Sequence, residues 1–393
     1  MNYCSKCVYP SASAFKLVFD ENGICSGCRV HEQAKKLNWK EREEKLKELF
    51  EKYRSKDGKN YDCIVPVSGG KDSYYQVHYV TKVLGLKPLL VTYHGNNYLP
   101  EGEKNLARMR EVFNVDHIIF KPSVELLKKM NRLCFRKMGD MNWHAHCGIM
   151  TYPVQIAVQH KIPLIFWGEH GELDLAGMYS MNDFPEMSAR QRLEHALRGF
   201  DWYDMIDEKE GIREQDLLWA KYPSNEDLES TGVRGIYLGL YSYWDANNNY
   251  KIAKELYGWE EAREPFDRTY RMFSNIDDMH ENGIHDYLKY IKFGYGRATD
   301  HSCKDIRGGH MTREQGIEMV KKYDHVKPRD LKRWLEYVGM TEEEFDHIAD
   351  TFRDPRVWWI KDGKWWKENI WGGSSAFEDV HLSAEEQKKY IRN

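Results

Sequence analysis

At 393 residues the chain is too long for one ordinary hydrophobic core, and two or three domains are expected. Its 41% hydrophobic and 31% charged residues fit a globular enzyme in water, and no apolar run approaches the ~20 residues that span a bilayer. The net charge of −4 sets up no broad basic field, which argues against nucleic acid as a partner. The start, Met1-Asn2-Tyr3-Cys4, lacks the apolar core of a signal peptide, so the expected location is the cytoplasm, without a membrane partner.

Residues 1–35 read as a four-cysteine zinc ribbon. Cys4-Ser-Lys-Cys7 and Cys25-Ser-Gly-Cys28 form two CxxC knuckles with 17 residues between them, and each can place two thiolates on one metal. Asp20-Glu21-Asn22-Gly23 supplies a turn between short strands. Four thiolates leave no open coordination position, so a structural Zn²⁺ is expected, with iron as the lesser alternative. Residues 36–60 read as a connector whose charged helix spans 38–56. Leu46, Leu49, Phe50 and Tyr53 make one apolar stripe on it.

Residues 61–175 alternate strand and helix. Candidate strands are 61–67, 88–93, 117–120 and 163–167, and candidate helices are 73–84, 101–113, 123–138 and 150–160. That alternation predicts an α/β fold, a doubly wound and mostly parallel sheet with ligands at the strand C-terminal ends. The first strand runs into Ser68-Gly69-Gly70-Lys71-Asp72-Ser73. A Gly-Gly turn between strand and helix turns backbone N–H groups toward an anion, Ser68 and Ser73 add hydroxyls, Lys71 adds a cation, and Asp72 can brace the loop or help hold Mg²⁺. The string is not a Walker loop. It resembles the pyrophosphate loop, SGGxDS, of the N-type ATP pyrophosphatases, which split ATP into AMP and pyrophosphate. His94 follows the second strand and Glu169 the fourth, both at the ligand edge. Cys147, in Trp143-His144-Ala145-His146-Cys147-Gly148, is expected just before a helix, as a nucleophile, a metal ligand or a packed thiol.

Residues 176–393 read as a substrate-binding and mainly helical region. The strand–helix alternation is expected to stop near 175. A string from Ile276 to Tyr287 mixes acids and histidines, and Arg297, His301, Lys304, Arg307 and His310 form a basic cluster beside glycines. Arginine forks there suit phosphate or carboxylate; the competing reading is a charged loop with internal pairs to Asp300 and Asp305. Thr312 is a candidate N-cap, helices are expected over 328–337 and 341–351, and the tryptophans of the tail, from Trp358 to Trp371, are expected to pack.

Taken together, the four-cysteine ribbon beginning Tyr3-Cys4-Ser5-Lys6-Cys7-Val8, the loop Ser68–Ser73, the string His146–Pro153, the string Ile162–Glu169 and Phe293-Gly294-Tyr295-Gly296-Arg297 resemble the N-acetyl sugar amidotransferases of bacterial surface-polysaccharide and nonulosonic acid pathways. The resemblance spans nearly the whole chain. It departs at Tyr9-Pro10-Ser11-Ala12-Ser13, where a pattern closer to xPDTRP is expected, and this leaves the particular sugar open. The resemblance implies an ATP- and Mg²⁺-dependent, AMP-forming conversion of an acetamido to an acetamidino group on a nucleotide-linked sugar. Lys71, Asp72, Glu169 and Cys147 are the candidate catalytic residues. Ser68, Gly69, Gly70, Lys71, Asp72, Ser73 and His94 would hold the nucleotide, and Arg297, His301, Lys304 and Arg307 the sugar substrate. It also implies a separate glutaminase subunit, similar to that of imidazole glycerol phosphate synthase and joined by a cyclase-like barrel, as the source of ammonia. The alternative reading is an adenylating enzyme of tRNA modification, of thiolation or lysidine type, which shares the loop. The acidic net charge and the lack of a CxxC pair at Cys147 argue against it.

Overall fold

The computed structural model describes residues 1–273 and 279–392. The part of the Ile276–Tyr287 string that precedes Met279 lies outside the described residues. The two cysteine knuckles open the chain, each braced by an isolated bridge, Tyr3 to Pro10 and Phe19 to Cys25, and Ser5 N donates to Gly23 O between them. Helix α1 (Ser26–Lys35) grows directly out of the second knuckle, and α2 (Trp39–Phe50) follows, capped by the Asn38 side chain.

The doubly wound sheet then forms as the apolar runs dictate. Strand β1 is Cys63–Pro66, α3 Lys71–His78, β2 Pro88–Tyr93, α4 Pro100–Phe113, β3 Asp116–Phe120, α5 Val124–Met138, α6 Trp143–His160 and β4 Leu164–Trp167. Every residue of β1, β2 and β4 is buried, which is why these strands are continuous apolar runs rather than alternating ones. Strand β3 forms one edge and is half exposed. Helix α6 starts at Trp143, about two turns before the expected 150. Pro153 lies inside it, and Gly148 leaves the space that the Tyr93 ring fills.

The alternation does not stop near residue 175. After α7 (Gly171–Ala176), the short α8 (Ala189–Gln191) and α9 (Asn225–Thr231), the chain returns to the sheet as β5 (Arg234–Tyr237), parallel to β4. The sheet order is β3-β2-β1-β4-β5, and all four pairings are parallel. Helix α10 (Ala246–Tyr257) packs on α3. The segment expected to begin the substrate region therefore completes the sheet. Strand β5 escapes a sequence reading because it is four residues long, with an arginine and a glycine in it, and it pairs across an excursion of more than sixty residues.

The last third adds α11 (Asn282–Phe293), α12 (Arg297–Gly308), α13 (Arg313–Tyr323), α14 (Leu331–Val338) and α15 (Glu342–Thr351); α11, α14 and α15 build a second core, while α12 and α13 pack with the four cysteines. Thr312 caps α13 in a reciprocal box with Gln315. The tryptophan-rich tail is a three-stranded antiparallel sheet, β6 (Trp359–Lys361), β7 (Lys364–Glu368) and β8 (Ser374–Asp379), rather than a loop. Trp358 and Trp365 are buried, with the Arg353 guanidinium 4.3 and 4.7 Å from their rings, so the arginine is both ion-paired to Asp350 and covered by aromatic faces.

Glu281, before α11, is 5% exposed; Asn97 donates to its Oε1, while among the described residues its Oε2 has no partner. Burial pushes its carboxyl up to about 7. A raised carboxyl makes the folded state hold a proton that the unfolded chain releases, so this group costs stability as pH rises from the unfolded value toward 7 and above. Glu281→Gln is expected to raise Tm by roughly 2–6 °C at pH 8 and to change it little at pH 5, measured by scanning calorimetry.

Candidate active site and metal centre

The loop leaving β1 is tied down from four sides. Gly69 has φ +87°, and a Cβ there would lie 2.8 Å from the Leu106 backbone of α4, so only glycine fits. The Trp259 indole donates to Gly69 O at 2.9 Å. Ser68 N donates to Ser73 Oγ at 2.9 Å, closing the loop on itself. Asn249 of α10 donates to Asp72 Oδ1 at 2.9 Å, and Lys71 Nζ meets Asp72 Oδ2 at 2.6 Å. Helix α3 begins here with Gly70 as an N-cap that offers no side-chain acceptor. Its first amides therefore face the cavity with the positive end of the helix dipole behind them.

That cavity, about 250 Å³, sits at the C-terminal ends of β1, β2 and β4 and is lined by Ser68, Gly70, Lys71, Ser73, Glu169 and Trp244 among others. Lys71 is wholly buried, and desolvation lowers its pKa against the pull of Asp72. Its ammonium also lies 5.2 Å from the Phe273 ring. Glu169, at the end of β4, bonds Lys304 Nζ at 2.8 Å, and Lys304 reaches Asp174 at 2.7 Å. Burial, with Asp174 and Asp72 nearby, raises the Glu169 carboxyl, and Lys304 opposes the rise. Glu169 lines two further cavities as well. One is polar, with Arg271, Lys304, Asp305 and His310; the other is narrow and largely apolar, with Val30, Leu173, Met181 and Leu240.

The fold thus brings together Ser68, Gly69, Gly70, Lys71, Asp72, Ser73, Glu169 and Lys304. It does not bring in the rest of the expected set. His94 is buried beneath a hydrogen bond to Glu103 at 2.9 Å and a stacked Tyr98, outside the cavity. Cys147 lies inside α6 in a sealed aromatic cluster, touching Thr151, Ala220 O and Arg192, and burial pushes its thiol up to about 11. A thiol in that state is no nucleophile near neutral pH. The basic cluster is one face-buried helix rather than a ligand loop. Arg297 makes a bidentate pair with Asp286, and His301 shares its Nδ1 with Thr269 at 2.6 Å. Arg307 is turned to the cysteine centre, so of the four only Lys304 reaches Glu169. Asn249, Trp244, Trp259 and Arg271 were not legible as site residues. The run Asn247-Asn248-Asn249 beside Trp244 was the one local signal, and it is common in turns.

The four expected metal ligands do converge. The Sγ atoms of Cys4, Cys7, Cys25 and Cys28 all lie within 4.8 Å of one another. A tetrahedron with Zn–S bonds of ~2.3 Å has edges of ~3.8 Å. Here Cys7 and Cys25 are 3.8 Å apart and Cys4 and Cys28 4.0 Å apart. Backbone amides of Lys6, Cys7 and Cys25 point at Cys4 Sγ at 3.3–3.4 Å, as a metal-bound thiolate requires. The donor set is compatible with zinc.

Fold and site together define a doubly wound α/β protein with a Gly-Gly loop at a helix N-terminus, a buried lysine and a four-cysteine centre. Residues 267–370, which carry Lys304, match the family model described as LPS biosynthesis protein WbpG-like, C-terminal domain. No curated protein matches the chain. Among solved structures it is similar to the NH3-dependent NAD synthetase from Campylobacter jejuni subsp. jejuni NCTC 11168 in complex with the nitrate ion, at 13% identity and a TM-score of 0.28. That match covers 37% of this chain and 62% of the synthetase, less than two thirds of its length. It is also similar to NMN synthetase from Francisella tularensis, at 13% identity and a TM-score of 0.29, over 58% of this chain and 99% of that one. Among the described residues no helix is long and apolar enough to cross a membrane.

Two outcomes are expected. Protein purified without chelator should carry one Zn²⁺ per chain by elemental analysis, and Cys28→Ser should lower both the metal content and Tm. Cys147→Ala should lower Tm, because the thiol fills a buried cluster and its loss leaves a cavity.

Proposed function

We propose that this chain is an ATP-dependent, AMP-forming amidotransferase that converts the acetamido group of a nucleotide-linked N-acetyl sugar into an acetamidino group, in bacterial surface-polysaccharide assembly. The observation that carries the proposal is the meeting of two cavities at Glu169: one floored by the Ser68–Ser73 loop, the other polar and lined by Arg271 and Lys304. The polar cavity is small, about 30 Å³, so it marks a charged junction beside the loop cavity and not the whole of a sugar site. The match of residues 267–370 to a lipopolysaccharide biosynthesis family supports the sugar side, since that segment supplies Lys304 to the junction.

An amide oxygen is a very poor leaving group. In the proposed sequence it attacks the α-phosphorus of ATP, pyrophosphate departs, and an O-adenylyl imidate results. Ammonia then adds to the imidate carbon, AMP leaves, and loss of a proton yields the amidine. The α3 N-terminal amides, Ser68 and Ser73 would hold the β- and γ-phosphates. Lys71 would stabilise charge on the departing pyrophosphate, and being desolvated it acts more strongly than in water. Asp72 and Glu169 are the carboxylates that could hold Mg²⁺, which neutralises phosphate charge when bound.

Ammonia would come from a glutaminase partner, as the resemblance implies. Cys147 is buried inside α6 and lines neither of the two further cavities at Glu169. The narrow apolar cavity that ends at Glu169 suits a small neutral molecule.

Incubation of candidate nucleotide sugars with protein, ATP, Mg²⁺ and ammonium should give a product lighter by about 1 Da, as O is exchanged for NH. The rate should rise with pH at fixed total ammonium, since the unprotonated fraction grows; glutamine alone should give no turnover. Lys71→Ala should lower pyrophosphate release by roughly 100-fold or more with the fold retained. Glu169→Gln should cut turnover by roughly 10–100-fold with little change in Tm, and a mutant that is merely less stable would show Glu169 to be structural.

A further inference from the structure

Helix α12 carries two functions on adjoining faces. Cys303 and Arg307, one turn apart, are buried against the four cysteines, and Lys304 between them points to Glu169 and Asp174. Arg307 is 2% exposed, and its two terminal nitrogens engage three groups, while among the described residues its Nε has no hydrogen-bond partner. It donates to Asp174 O at 2.9 Å, to Leu175 O at 3.1 Å and to Cys25 Sγ at 3.6 Å. Asp174 is thus held twice, by its carbonyl through Arg307 and by its carboxylate through Lys304 at 2.7 Å. Lys304 in turn bonds Glu169.

The contact between α1 and α7 is equally tight. Ser26 Oγ donates to Ala176 O at 2.5 Å. A Cβ on Gly27 would overlap Leu175 O and Arg307, and one on Gly177, at φ +61°, would overlap Ser26 O. No side chain separates the second cysteine knuckle from the end of α7. A second clamp comes from α13, where Arg313 donates to the carbonyls of Cys4 and Cys7. The knuckles are short and hold little secondary structure of their own, so a metal crosslink is what would make them a rigid anchor.

We propose that the loaded cysteine centre is the fixed end of a strut, Cys25–Arg307–Asp174–Lys304–Glu169, that sets the position of the Lys304–Glu169 pair, with Arg307 as its positioning residue. The catalytic meaning of the strut rests on the amidotransferase reading; the coupling itself does not. Charge supports the arrangement. Four thiolates on a divalent ion carry a net negative charge in a buried place, and Arg307 is the cation against it. The same guanidinium cannot move away without releasing the α7 carbonyls.

Linkage supplies the test, because a coupling between two places is reciprocal. Lys304→Met, in full-length protein, touches no cysteine. It should weaken Zn²⁺ binding about 3–30-fold in competition with a chelating indicator. It should also shift the thiolate absorption of the cobalt(II)-loaded centre, which a purely packing role would not move. Arg234→Met, which breaks an ion pair to Glu186 outside the strut, should leave metal affinity within about twofold. Hydrogen exchange gives an independent readout: chelation should speed exchange in 169–177 and 297–308 and leave α3 as it was. Unchanged metal affinity and cobalt spectrum in Lys304→Met would overturn the proposal, as would chelation that speeds exchange everywhere or nowhere in 169–177. None of these readouts depends on turnover. A failed strut therefore leaves the proposed reaction standing, and a failed reaction leaves the strut standing.

Discussion

The approach of α4 to Gly69 is the contact on which the site is built. With Leu106 backbone only 2.8 Å from where a Cβ would be, the loop has one way to turn, and that turn aims the first amides of α3 into the cavity. Tyr74, one turn into α3, donates to Asn105 O at 2.7 Å and locks the same two helices together from the other side. The Trp259 indole then holds the Gly69 carbonyl away from the cavity. An anion site made of backbone amides needs this rigidity, because amides aimed loosely at a phosphate lose most of their advantage over water.

Around that loop the protein concentrates buried charge. Lys71, Lys304, Arg307 and Arg271 are all nearly sealed, each against at least one carboxylate, carbonyl or thiolate. Such groups are weak contributors to stability, since desolvation offsets most of their pairing energy. Their value is positional. A lysine held by carboxylates in a desolvated place has few alternatives, so Lys71 at Asp72 and Lys304 between Glu169 and Asp174 have defined places before any ligand arrives. The same reasoning separates them from the exposed pairs along α2, such as Lys45–Glu41 and Lys47–Glu43, which are worth little and fix nothing in the site.

The second half of the chain is drawn into the first by these charges and by β5. The long excursion after β4 ends in a strand that pairs back onto it, and α10 follows to cover α3 and supply Asn249. Helix α12 packs on the cysteine cluster and inserts Lys304 beside Glu169. Residues from α1, the sheet and α12 meet in the small cavity beside Glu169, through His31, Glu169 and Lys304, which makes the four-cysteine centre a neighbour of the site and not a remote appendage.

Local chemistry was legible in the sequence alone. Continuous apolar runs placed β1, β2 and β4, because strands buried on both faces leave little room for polar residues. Two CxxC knuckles specified four converging thiolates, and SGGKDS between strand and helix specified an anion loop. Thr312 and Gln315 announced the start of α13. Tertiary structure decided what depends on partners distant in the chain. Strand β5 is too short to carry a pattern and exists by pairing with β4. Cys147 and His94 sit beside informative strings, but packing seals one and the Glu103 and Tyr98 contacts cover the other. The five basic residues of 297–310 look alike in sequence, yet the turn of α12 sends Arg297 to Asp286, Arg307 to the cysteines and Lys304 alone to Glu169. Spacing states which side chains share a helix face, and only the packing of that helix states what each face meets.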